Sequence, residues 1–222
     1  MKKYIFCLGL MLSVNALADS EPESFKKLST EWWQWALSIP TSENPQLDTT
    51  GENCMIGQKG SIWFLAGVFG GGKAKRDCSV PEDKELFFPI ANFVNFNTPN
   101  VCGQGPENIP VEDLRAFSAD STDTITEVSV KLDGNLVGNV RRVKSKVFEV
   151  ALPGDNVFDP LCKPDKFDVP SGIFSTAVDE GYYVKLKPLK PGAHTLRLLA
   201  KTATGVAQDI KYNLTVVPVL KK

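Results

Sequence analysis

One histidine, His194, serves the whole 222-residue chain. Any imidazole acid–base chemistry must therefore use that residue. The cysteines form no C-x-x-C pair, so with a single histidine the ligand spacing of a zinc site is missing. No serine sits in a G-x-S-x-G elbow, and no D-x-D-x-D-G loop offers calcium its converging oxygens. Charge of one sign is missing too: 25 basic residues face 26 acidic ones, which argues against nucleic acid as a partner. No apolar run approaches the roughly 20 residues a membrane-spanning helix needs. These absences leave no implied cofactor and no catalytic motif.

What is present begins with a leader. Lys2 and Lys3 precede an apolar core from Tyr4 to Val14, and Ala16-Leu17-Ala18 supplies the small residues of a cleavage site. This layout predicts a signal peptide over 1–18 and a single exported domain over 19–222, secreted or periplasmic. Loss of the leader removes two lysines and leaves 23 basic and 26 acidic residues, a net charge of −3. It also removes Cys7, so Cys54, Cys78, Cys102 and Cys162 remain. An even count in an exported chain predicts two disulfides. Four cysteines allow three pairings. Cys54–Cys78, which clips one local excursion, is favoured and leaves Cys102–Cys162.

Residues 24–39 carry the clearest helix signal, with Ser24 as a cap and Pro40 as a stop. Phe25, Leu28, Trp32, Trp35, Ala36 and Ile39 recur at three- and four-residue steps and make one apolar face. The aromatic run Trp32, Trp33 and Trp35 reads either as a stacking platform or as the docking face of the helix. Residues 61–69 and 86–96 are apolar runs of strand length, separated by Gly70-Gly71-Gly72. Lys73, Lys75 and Arg76 follow as the one dense basic cluster, read as a solvated loop. Residues 111–117 are open between a short helix and a linker. From residue 122 the pattern alternates: 125–132, a turn at Asp133-Gly134-Asn135, then further short strands to Val217. The expected fold is mainly β, an immunoglobulin-like sandwich over 119–222, elaborated by the helix and the disulfide-clipped aromatic segment of 24–118.

Two resemblances accompany these readings. "VSVKLDGNLV" (Val128–Val137) and "PGAHTLRL" (Pro191–Leu198) resemble phrases of bacterial immunoglobulin-like modules. "WWQWALSIP", "TGENC", "GSIWFLAGVFGG" and "LFFPIAN" resemble a family of bacterial signal-peptide-bearing exported proteins to which no activity is assigned. That resemblance implies one exported domain and adds nothing about chemistry.

Some features imitate active sites. Gly67 to Lys73 nearly spells a phosphate-binding loop, but Ala74 stands where a hydroxyl must hold magnesium. Carboxylates cluster at Glu82-Asp83-Glu85, Glu112-Asp113, Asp120 with Asp123, and Asp179-Glu180, each read as a solvated turn. The expected function is non-catalytic binding of a protein or glycan, with Trp33, Trp63 and Tyr182 as candidate contact residues. The alternative is a secreted hydrolase using carboxylates or His194 in a cleft between the two halves.

Overall fold

The computed structural model describes residues 21–162 and 169–219. The leader, its cleavage site and Cys7 lie outside the described residues. Helix α1 (Glu21–Leu37) opens the described chain. It starts before Ser24, which therefore sits within its first turns and is not its cap. Its end is satisfied by a side chain: Asn44 Nδ2 donates to the carbonyls of Ala36 (2.8 Å) and Ile39 (2.9 Å).

Among the described residues, ten strands follow in two mixed sheets. The first sheet runs β1 (Ile62–Phe64), β3 (Glu85–Phe96), β8 (Gly172–Leu186) and β6 (Arg141–Lys144), with β7 (Phe148–Leu152) also paired to β8. The second runs β2 (Gly72–Pro81), β10 (Gly205–Val217), β9 (Gly192–Thr202), β4 (Ile125–Leu132) and β5 (Asn135–Leu136). Each holds one parallel pair, β1 with β3 and β2 with β10. Strands from the first hundred residues thus pair with strands from the last hundred in both sheets. Side chains from both sheets share one core, including Phe88, Val184, Leu198, Ile210 and Leu214. The opposite face of the first sheet is covered by α1, whose Trp32 and Ala36 are fully buried beside Phe87 and Tyr183.

Helix α2 (Val111–Asp123) takes the segment left open between helix and linker, and packs on β3 and β8. The short α3 (Asp159–Cys162) brings Cys162 to Cys102, and the other disulfide joins Cys54 to Cys78, both as expected. Among the described residues no helix is long and apolar enough to cross a membrane.

Two further features correct the sequence reading. Lys73, Lys75 and Arg76 are not a loop: they lie on β2, with Lys73 and Lys75 exposed and Arg76 buried. Asp179 and Glu180 are not in a turn but in the middle of β8, 1% and 3% exposed. In both places local polarity is overridden by partners that arrive from distant sequence.

Candidate functional site

The two longest strands of the first sheet are unequally covered. β1 pairs only with Glu85, Leu86 and Phe87, whereas β3 continues to Phe96. Beyond Phe88 that edge of β3 has no strand partner among the described residues. Within β3, Pro89 has no N–H to give a ladder, and the register against β8 slips between Pro89 and Ala91. Ile90 and Ala91 therefore both point into the inter-sheet core, and Asn92 is turned to the α1 side, where it meets Tyr183.

The chain after β1 leaves β3 once the Leu65 amide has bonded the Phe87 carbonyl (3.1 Å). It then crosses to other partners. The Val68 amide donates to Gln208 Oε1 (3.0 Å) and the Phe69 amide to the Gln46 carbonyl (3.1 Å). A turn closes it, with the Gly71 amide on the Val68 carbonyl (2.9 Å). Gly71 holds φ at 86°, and a Cβ there would lie 2.7 Å from the Ala207 carbonyl oxygen, so glycine is required. This turn leads into a strand, where a phosphate-binding loop needs a helix.

The 66–67 carbonyls are held by Arg76 from below. Its guanidinium donates to the carbonyls of Asp48 (2.7 Å), Ala66 (2.6 Å) and Gly67 (3.0 Å) and to the Tyr212 hydroxyl (2.5 Å), and stacks on the Tyr212 ring. It makes no ion pair among the described residues. A 1% exposed cation is instead neutralised by carbonyl dipoles.

Between this loop and β3 lies a cleft of about 410 Å³, a size that suits a small organic ligand. Its wall has no ionisable side chain among the described residues. Rings come from Phe69, Phe93 and Phe158, and hydroxyls from Ser121, Thr124 and Thr202. Four amides also line it, three of them pinned through one end. Asn92 Nδ2 donates to the Tyr183 hydroxyl (3.0 Å), Asn95 Nδ2 to Ser118 Oγ (2.9 Å), and Gln208 Oε1 accepts from Val68. The fourth, Gln46, is 3% exposed, and its buried Nε2 has no hydrogen-bond partner. Leaving a buried amide donor unpaired costs on the order of 1–3 kcal/mol.

Behind the cleft sits a buried carboxylate. Trp33 Nε1 donates to Asp179 Oδ1 (2.7 Å) and the Tyr183 hydroxyl to Oδ2 (2.8 Å). Burial pushes the Asp179 carboxyl up to about 7, against the opposing hydrogen bonds from Trp33, Tyr183 and Ser29. Asp179 itself does not line the cleft, although Trp33 and Asn92 do.

Of the three candidate contact residues, only Trp33 reaches this cleft, and it is 4% exposed. Trp32, Trp33 and Trp35 are all buried, so the run docks α1 on the sheet. Trp63 is buried in the inter-sheet core with its Nε1 unpartnered, and Tyr182 is half-buried on β8. His194 stands apart. Its Nδ1 meets Asp133 Oδ2 (2.7 Å) and its Nε2 the Lys190 carbonyl (2.9 Å). Both partners are acceptors, the Asp133 carboxylate first, so they favour the imidazolium and raise its pKa. Some of the clustered acids are spent on structure: Asp123 and Glu180 both bind Arg142, and Glu85 binds Lys185. Glu112, Asp113, Asp120 and Asp123 lie on α2, not in the turns expected of them.

Sequence reasoning missed Gln46 and Gln208, and no motif marks them. Comparison with protein-family models, with curated proteins and with solved structures found no match.

Proposed function

We propose that this chain is an exported, non-catalytic binding protein, and that its cleft takes an uncharged, hydroxyl-rich ligand, a neutral glycan in chemistry. The observation that carries this reading is the unpartnered Nε2 of buried Gln46 in a wall without ionisable groups. Sugar hydroxyls both donate and accept, and so match amides whose second ends are unused. The phenylalanine rings suit the apolar faces of sugar rings. A carboxylate hydrolase would need two acids at the cleft, and among the described residues its lining supplies neither. Export is supported by the leader pattern and the two disulfides. The immunoglobulin-like reading of the second half draws on the antiparallel β4–β9–β10 run set against β8.

The test is titration calorimetry of the disulfide-intact 19–222 chain against neutral and acidic oligosaccharides, with product analysis by mass spectrometry. Gln46→Leu separates ligand recognition from folding. It should lower affinity about tenfold while raising stability, because the unpaired donor is gone. Absence of neutral-glycan binding at millimolar concentration, or an unchanged affinity in Gln46→Leu, overturns the proposal. Cleaved product would replace it with the hydrolase.

A further inference from the structure

The outer face of the second sheet gathers charges that the sequence scatters. Lys75 on β2 is in register with Lys211 on β10, Lys211 with Arg197 on β9, and Arg197 with Lys131 on β4. All four are exposed. Adjacent strands lie about 4.8 Å apart, so the four cations form a single file about 14 Å long across the sheet.

Like charges directly opposite one another destabilise a sheet, and elsewhere this face avoids them. Lys201 sits opposite Glu127 and bonds it at 2.8 Å. Among the described residues only Arg197 of the file is paired, through two 2.9 Å bonds to Asp209. Lys75, Lys211 and Lys131 make no ion pair among the described residues.

The file is also narrow. The rung on one side carries Asp77, Asn213 and Thr195, and the rung on the other carries Lys73, Asp209, Leu199 and Ser129. An acid therefore flanks the cations on both sides. A broad anionic surface would meet both acids, whereas a thin anionic chain laid along the rung meets the three unpaired lysines and reaches an acid only at Arg197, which Asp209 already binds. No aromatic side chain belongs to the file, so stacking of nucleic-acid bases has no platform there.

We propose that this rung is a second binding site, independent of the cleft, for a linear acidic polysaccharide. The surrounding charge sharpens the contrast, since the net charge after leader loss is negative.

The experiment measures binding of the disulfide-intact 19–222 chain to polygalacturonate at low and high salt. Neutral dextran, phosphatidylglycerol vesicles and single-stranded DNA are run alongside. Binding to polygalacturonate that weakens with salt is expected. The double variant Lys75→Gln/Lys211→Gln should lose on the order of tenfold in affinity. Its melting temperature should not fall, because both side chains are exposed and face like charge. Lys26→Gln/Lys27→Gln on α1 should leave affinity unchanged. The proposal is overturned by no binding to polygalacturonate at low salt, by equal loss in the α1 control, or by binding confined to vesicles or DNA.

Discussion

Replacing Asp179 by asparagine should make the protein more stable at alkaline pH and leave it almost unchanged in acid. The carboxyl is 1% exposed, and burial raises its pKa from the ordinary 3.8 to about 7. The folded state therefore binds a proton that the unfolded chain has already released between those two values. Folding stability from this group is complete below pH 4, falls as pH rises, and levels off above about pH 7. Each pKa unit is worth about 1.4 kcal/mol, so ionised Asp179 costs the fold about 4 kcal/mol at pH 8. Asparagine keeps the shape and still accepts from Trp33. Its amide meets the Tyr183 oxygen, which must reorient its proton, so the gain should fall short of that figure. Urea unfolding of wild type and Asp179→Asn at half-unit steps from pH 4 to pH 8.5 isolates this one group. The expected difference climbs by up to about 1.4 kcal/mol per pH unit through the middle of that range. A second readout is local: Trp33 fluorescence in the wild type should titrate near neutrality, and the variant should lose that transition. A stability difference that stays flat with pH would refute the argument.

Arg76→Met should destabilise by about 3–5 kcal/mol, because three carbonyls and the Tyr212 hydroxyl lose their buried donor; thermal unfolding with cleft binding measured on the surviving fold checks it. Breaking Cys102–Cys162 by serine substitution should cost about 4 kcal/mol, and Cys54–Cys78 slightly less, since their sequence separations are 60 and 24; denaturant melts order the two. His194→Ala should leave cleft binding intact and abolish a small stabilisation present in acid and lost as pH rises through the raised imidazolium value; paired melts at pH 5 and pH 9 test this. Intact mass of exported material should show a chain beginning at Asp19, and retained Cys7 would contradict the leader reading.

Most strands were legible because their periodicity is local. Val128, Val130 and Leu132 alternate toward the core, and Asp133 and Gly134 both adopt the positive φ a tight hairpin turn needs. The β2 strand was hidden by one residue: Ala74, Cys78 and Val80 alternate inward, but Arg76 completes the series and reads as solvated. Its burial depends on carbonyls at 48, 66 and 67, which only the folded loop presents together. The same reasoning separates Asp179, whose burial is set by Trp33 from 146 positions away, from the surface acids it resembles in sequence.

The sequence by itself therefore determined what neighbouring residues can decide: the apolar faces of helix and strands, the turn positions, the expectation of export, and an even set of cysteines. Tertiary structure alone decided which polar groups are neutralised, orphaned or aligned. Gln46 became an unpaired donor, Asp179 a carboxyl titrating near neutrality, and four scattered cations a single file, because burial and strand register bring together residues that no local pattern relates.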